Sequence, residues 1–411
     1  MKFKDLQLKQ VLQDQIQKQG FTEATAIQEK TIPEIQKGHD VVGQSETGSG
    51  KTIAFSLPLL EKIQPGKGIQ ALVLTPTREL CVQVKESFEL FGKSMKIFTT
   101  AVYGGVGIQP QFNDLKRADI VIATPGRLLD HINRNSFNSR NLKFLVLDEV
   151  DKMFEMGFIH DVEEILRGLP KERQTLLFSA TVPQSVNSLI KKYLKSPVFI
   201  KTKSLVDKAQ LNQVYYQVNE FEKFSLLLHL LKQKGSGLAL VFCGTRYKVD
   251  SLSHNLQKQG IHAMAIHGGL SQNRRTHALD SLKKEHIQVL VATDVAARGL
   301  DIQNITHVYN YEVPKTSEDY VHRIGRTARA GKNGEAVTLL SDKDHDNFRR
   351  VIMDRSLEIK ENELPEFQKV AYIKSQRNNR RGNFSGKRPF SQSPENRRHS
   401  FRRDAQRKWN V

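Results

Sequence analysis

The chain has only two cysteines in 411 residues, Cys81 and Cys243. Two cysteines cannot form a disulfide framework, and no ligand spacing suggests a structural metal. Long apolar runs are also missing. The longest are five to seven residues, far short of the ~20 a bilayer span needs. The opening "MKFKDLQLKQ" holds no apolar stretch of the secretory kind. A cytoplasmic protein in a reducing compartment is therefore expected. Acidic residues are scarce beside basic ones, 44 against 63, which leaves a net charge of +19 and a pI near 9.7. Such a balance points to a polyanionic partner.

The charge is unevenly spread. Residues 374–411 hold 12 Lys or Arg and two acidic residues, a net +10. That stretch is rich in Arg, Asn, Ser and Gly without apolar periodicity, so a disordered tail is expected. Phe384, Phe390, Phe401 and Trp409 are set among its arginines. Arginines can pair with phosphates and aromatics can stack on bases, as a nonspecific nucleic-acid tether would.

Before the tail, short apolar runs recur, each followed by a longer mixed segment. In the first half they are "DVVG", "ALVLTP", "KIFTTAVYG", "DIVIATP", "FLVLDE" and "TLLFSAT". In the second half they are "QVYYQV", "LALVFCG", "HAMAIHG", "VLVATD", "THVYNYEV" and "AVTLLS". These runs are apolar throughout rather than alternating, as buried parallel strands are. The pattern pauses near residues 196–213 and restarts. Two α/β domains are expected, over 1–203 and 213–373, joined by a linker at 204–212.

"VVGQSETGSGKT" reads as a strand, a phosphate-cradling turn and a helix start. Gly48 and Gly50 let backbone N–H groups wrap an anion, and the helix dipole adds to the attraction. Lys51 would reach the β and γ phosphates, and Thr52 would hold Mg²⁺. "LVLDEVDKM" ends an apolar run in three carboxylates within four positions. Such crowding requires a compensating charge. Asp148, at the carboxyl end of a strand, would share the Mg²⁺ with Thr52, and Glu149 would orient and deprotonate a water.

With "GFTEATAIQ", "SETGSGKT", "PTREL", the doublet Gly104–Gly105, "TPGR", "DEVD", "SAT", "VFCGT", "QNRR", "ATDVAARGLD" and "HRIGRTARAG" in this order, the chain resembles a DEAD-box ATP-dependent RNA helicase of superfamily 2. The resemblance covers about Phe3 to Ser341. It implies two tandem RecA-like parallel-sheet domains with ATP and Mg²⁺ between them. It also implies RNA-stimulated ATP hydrolysis coupled to domain closure and local unwinding. Val150, Ala24, Ser45 and Ala328 stand where the family more usually has Ala, Pro, Ala and Gly.

The resemblance also assigns roles. Phe21 stacks on adenine and Gln28 reads its edge. Ser45, Glu46, Thr47, Gly48, Ser49, Gly50, Lys51 and Thr52 form the phosphate loop. Asp301 contacts the ribose, and Arg326 and Arg329 reach the γ-phosphate. The spacing of these two arginines puts them on one helical face. Ser179 and Thr181 couple nucleotide state to closure through Asp151 and His322. RNA contacts fall to Pro76, Thr77, Arg78, Gly104, Gly105, Thr124, Pro125, Gly126 and Arg127. In the second domain they fall to Gly244, Thr245, Gln272, Arg275 and Thr293. Small residues and hydroxyls meet sugar and phosphate without reading sequence, and 2′-OH contacts favour RNA over DNA. An ATP-gated RNA clamp with little unwinding and a DNA-acting helicase of the same superfamily stay open as alternatives.

Overall fold

The computed structural model describes residues 1–45, 48–202, 211–233, 237–297, 304–328 and 333–373. Glu46, Thr47, Asp301, Arg329 and the basic tail lie outside the described residues. So does most of the expected linker, and the second lobe's first strand begins at Leu211.

Residues 1–373 form one compact unit with two seven-stranded sheets, parallel throughout. In the first lobe the strands are β1 (Val41–Gln44), β2 (Ala71–Leu74), β3 (Thr99–Val102), β4 (Ile120–Ala123), β5 (Phe144–Asp148), β6 (Gln174–Ser179) and β7 (Val198–Lys201). Their spatial order is β3-β4-β2-β5-β6-β1-β7. The second lobe carries β8 (Leu211–Gln217), β9 (Leu238–Phe242), β10 (Ala263–Ile266), β11 (Val289–Ala292), β12 (Ile305–Asn310), β13 (Gly334–Leu340) and β14 (Lys360–Glu361). Their order is β10-β11-β9-β12-β13-β8-β14. The two sheets are therefore the same arrangement used twice, as tandem RecA-like domains require.

Continuous apolar runs give strands buried on both faces. In the first sheet Val41, Val73, Ile122, Val146 and Leu176 face one helical layer, while Val42, Leu72, Val121, Leu145 and Leu177 face the other. Each such side chain, buried from water, contributes roughly 1.5–3 kcal/mol. All twelve expected strands are present. The two additions are β7 and β14, both sheet edges. "VFIK" has one buried residue in four and Lys360–Glu361 none, so neither carries the apolar signal of an interior strand. Asp40 helps place β7. Its carboxylate accepts from the Thr175 amide at 2.7 Å and the Lys195 amide at 2.6 Å.

Beyond β14 the chain straps the second lobe. Val370 N donates to Ser225 Oγ at 2.9 Å and Ile373 N to Asn255 Oδ1 at 2.9 Å. Phe367, Val370 and Tyr372 pack on the core that contains Phe224 and Leu252.

β1 and β5 carry the site, because their carboxyl ends become the phosphate loop and the acidic turn. β1 has no space for a side chain at Gly43. A Cβ there would lie 2.6 Å from two carbons of the buried Phe178 ring on β6. We expect Gly43→Ala to destabilise the protein by about 1–3 kcal/mol through overpacking, read as a lower urea midpoint at unchanged slope.

Candidate nucleotide site and the lobe junction

The phosphate loop follows β1 and is held from behind by a helix, Ala26–Gln36. Its N-cap Thr25 and its third residue Gln28 form a capping box. Gln28 Oε1 accepts from Thr25 N at 2.9 Å, and its Nε2 donates to Gly50 O at 3.1 Å. Thr25 Oγ1 donates to Ser49 O at 2.7 Å. Gln28 is buried and both ends of its amide are directed at protein, so here it supports the loop. Phe21 is 41% exposed and packs edgewise on Phe3 and at a tilt on Phe91, leaving surface for a flat ligand.

Gly48 and Gly50 take φ of 86° and 87°, a left-handed conformation that glycine adopts without strain. Lys51 opens the helix Lys51–Lys62, with Thr52 beside it. Lys51 Nζ donates to Ser45 O at 2.8 Å, and the Ser45 and Ser49 hydroxyls lie 2.8 Å apart. Lys51 is thus held against the residue that leads into the loop.

The acidic turn follows β5. Asp148, Glu149 and Asp151 are all buried. Glu149 adopts φ 51° and ψ 52° as the cap of the helix Val150–Glu155, a left-handed state that costs a side-chain-bearing residue about 1–2 kcal/mol. Such strain is typical of functional turns. Asp151 is satisfied within its lobe. Its Oδ2 accepts from Thr181 N and Thr181 Oγ1, both at 3.0 Å, and its Oδ1 from Lys152 N at 3.0 Å. Ser179 Oγ donates to Thr181 O at 2.6 Å and accepts from Asp151 N at 3.3 Å. Asp148 differs. Its Oδ1 is buried and has no hydrogen-bond partner among the described residues. Burial pushes its carboxyl up to about 7, with Lys51 opposing the rise and Glu149 and Asp151 adding to it.

The second lobe meets this turn at His322. Lys152 Nζ lies 2.8 Å from His322 Nδ1 and 2.7 Å from Glu155 Oε1. Lys152 therefore links the acidic turn to His322. Arg326 lies nearby and is buried, its Nε donating to His322 O at 3.3 Å. The helix Ser317–Ile324 ends before it, and Ala328 turns left-handed at φ 53°. Arg326 therefore lies just beyond the helix, while Arg329 falls outside the described residues. A left-handed residue is where glycine is expected, which accounts for the residue more usual at position 328. Arg323, unremarked in the sequence, organises this lobe. It donates from Nε and Nη2 to Asp294 at 2.5 and 2.8 Å, and from Nη1 to Asn310 Oδ1 at 3.1 Å and Glu312 O at 2.6 Å.

A second junction joins the lobes. Arg275 Nη2 lies 2.7 Å from Glu79 Oε2, and Gln272 Nε2 donates to Glu79 Oε1 at 3.1 Å. Glu79 follows Arg78 in "PTREL" and is buried. The structure brings Gln272 and Arg275 to the facing lobe's carboxylate. An acid inside a basic motif was the available signal for a partner within the chain itself.

The remaining small and basic residues line the same side. Thr77 caps the helix Arg78–Gly92 by accepting from Leu80 N at 3.2 Å, and Pro76 precedes it. Arg78 lies over the Gly104–Gly105 turn, where a Cβ on Gly105 would sit 2.0 Å from its Nη1. Thr124 caps, and Pro125 begins, the helix Pro125–Asn133, with Gly126 exposed at its first turn. Arg127 turns onto Val106 O. In the second lobe Thr245 caps the helix Arg246–Lys258, while Gly244 N donates to Glu312 Oε2 at 2.6 Å. Thr293 follows β11.

Two like sheets, with a phosphate loop on one and an arginine segment on the other, define a tandem RecA-like class of nucleotide-dependent proteins. Residues 25–189 match the DEAD/DEAH box helicase model and residues 222–331 the helicase conserved C-terminal domain. The chain belongs to the DEAD/DEAH box helicase family. It is 46% identical over 352 residues to the DEAD-box ATP-dependent RNA helicase CshA of Bacillus licheniformis, covering 85% of this chain and 72% of that one. It is also 46% identical to the CshA of Bacillus subtilis, covering 85% and 71%. Saccharomyces cerevisiae Dbp5 bound to RNA and ADP BeF3 superposes with a TM-score of 0.81 at 30% identity, covering 88% of this chain and 96% of that one. A DEAD box protein from Methanococcus jannaschii is 42% identical yet superposes at only 0.53, covering 88% and 99%. The superposition is thus better with Dbp5 than with the Methanococcus jannaschii protein, although the latter is more similar in sequence.

Two tests follow from this geometry. A carboxyl raised to about 7 in the folded protein, against about 3.9 unfolded, opposes folding increasingly as pH rises through that window. With divalent metal chelated, Asp148→Asn should be more stable than wild type by about 2–4 kcal/mol near pH 8 and gain nothing near pH 4. At the second junction, losing one partner strands the other charge in a buried place, at about 3–5 kcal/mol. Glu79→Ala and Arg275→Ala should each reduce lobe closure, read by energy transfer between dyes on the two lobes. The double variant should do no worse than either single one. Strictly additive losses would show that the two residues act separately.

Proposed function

We propose that this protein is an ATP-dependent RNA helicase, in which RNA-stimulated ATP hydrolysis drives closure of the two lobes and pries apart short duplexes. The observation that carries this reading is the Lys152–His322 contact, which ties the acidic turn on the first lobe to the arginine segment on the second. Chemistry divided between two lobes can proceed only when they are together, so binding and hydrolysis become motion. The absence of any membrane-spanning helix among the described residues is consistent with action in the cytoplasm.

Lys51 leaves Ser45 O for the phosphates, and the glycine turns present N–H groups to them. Asp148, with an unpartnered buried oxygen, and Thr52 fit a divalent cation. Magnesium bound there would supply the charge that stabilises triphosphate and carboxylates alike. Glu149, held in its left-handed turn, orients the attacking water and takes its proton. Arg326 and Arg329 steady the charge developing on the transferred group, an effect of about 10³–10⁵ in rate in related chemistry. Asp151, Ser179 and Thr181 report the state of the acidic turn to Lys152 and so to His322. Arg78, Arg127, Thr124, Thr245 and the small residues beside them hold the sugar–phosphate backbone irrespective of sequence. The basic tail adds a salt-sensitive tether.

Glu149→Gln should bind nucleotide and RNA within about threefold of wild type yet lose about 10²–10⁴ in RNA-stimulated turnover. Phosphate release with RNA, with single-stranded DNA and with neither is the assay. Undiminished turnover in the variant would remove Glu149 from its role. Equal stimulation by DNA would move the substrate class.

A further inference from the structure

Beneath the first lobe's nucleic-acid face lies a buried polar chain for which neither the resemblance nor the nucleotide chemistry has a use. Its centre is Gln111, on the helix Ile108–Leu115. Gln111 Nε2 donates to Tyr103 O at 3.0 Å. Its Oε1 accepts from Arg127 Nη1 at 3.3 Å and lies 3.1 Å from His131 Nε2. Arg127 also donates from both terminal nitrogens to Val106 O at 3.2 Å. The Gly104–Gly105 turn is thus gripped at Tyr103 and Val106, on either side, while Arg78 covers it from above.

These neighbours determine where the protons are. A guanidinium only donates and a carbonyl only accepts, so the Gln111 amide has one workable orientation. Its oxygen then faces His131, and His131 Nε2 must carry a hydrogen. Nδ1 lies 2.8 Å from Ser136 Oγ, whose single hydrogen can go either to Nδ1 or to the His131 carbonyl oxygen 2.9 Å away. Burial, with the nearby Arg127 charge, lowers the His131 pKa and favours the neutral ring, and Phe112 packs edge-on against it at 5.1 Å. His131 is wholly inaccessible to solvent, so it touches no ligand. What it can do is aim Gln111, which in turn aims Arg127 and the turn.

We propose that Gln111 and His131 are positioning residues for RNA. By this chain of hydrogen bonds they hold Arg127 and the Gly104–Gly105 turn at the spacing that a sugar–phosphate backbone requires. The inference rests on the RNA reading above. It places both residues outside the hydrolytic machinery, so they govern the RNA concentration needed and not the rate once RNA is bound. The chain is built for rigidity: each buried polar atom named has a partner, and a half-satisfied network would cost more than an apolar one.

The test is RNA-stimulated ATP hydrolysis by the full chain, titrated with single-stranded RNA. Wild type must first respond to RNA; without that response the helicase reading fails and the network is not at issue. Given it, Gln111→Met should raise the half-saturating RNA concentration about tenfold, a loss of about 1.4 kcal/mol. Turnover at saturating RNA should stay within about twofold, and the RNA-free rate should not change. Gln111→Glu, which keeps the acceptor toward Arg127 and His131 but loses the donor to Tyr103 O, should fall between wild type and Gln111→Met. Should Gln111→Met fail to fold, His131→Leu and His131→Gln take its place, the first weakening RNA and the second, with a donor retained, holding it. Nitrogen-15 NMR should find the hydrogen of His131 on Nε2. Unchanged RNA dependence in the Met and Leu variants would overturn the proposal. So would a fall in saturated turnover without a shift in RNA dependence, or a ring protonated at Nδ1 alone.

Discussion

Three buried carboxylates at the end of one strand cannot be stable by themselves. Asp148, Glu149 and Asp151 each need a positive or donating group, and the rest of the molecule is arranged to provide them. Asp151 draws on the strand beside it through Ser179 and Thr181. Asp148 keeps a buried oxygen with no hydrogen-bond partner among the described residues, and the Lys51 charge eases its ionisation. Lys152, the next basic residue along, turns outward to the second lobe. The order of the strands follows from the same need, since β6 lies between β5 and β1 and brings loop, acidic turn and hydroxyls to one edge.

Much of this could be seen in the residues. Apolar runs without alternation correctly implied two parallel sheets, because strands covered on both faces have no polar side to display. The glycines and lysine of the phosphate loop, and the carboxylates ending an apolar run, are local patterns whose chemistry needs no distant information. Edge strands escaped for the opposite reason. β7 and β14 are half-wetted or wetted and exist because a neighbouring backbone offers them hydrogen bonds.

Contacts between distant segments were harder to see. Glu79 with Arg275 and Lys152 with His322 are each separated by more than a hundred residues, and nothing local pairs them. Period alone also cannot reveal that the helix carrying His322 stops at Ile324, before Arg326. Arg323 was visible inside its motif, yet its work is wholly on its own lobe. Gln111 and His131 lacked any pattern, since their importance comes from what three loops do when folded together.

The lysine of the phosphate loop and the hydroxyls beside it already have partners within the protein. Lys51 Nζ meets Ser45 O, the Ser45 and Ser49 hydroxyls meet each other, and Gln28 and Thr25 hold the Gly50 and Ser49 carbonyls from behind. An arriving triphosphate therefore exchanges with bonds that exist, and its affinity is the difference between two well-made sets. Every bond so displaced subtracts from the gain on binding, and a tempered affinity suits a machine that must release what it has cleaved.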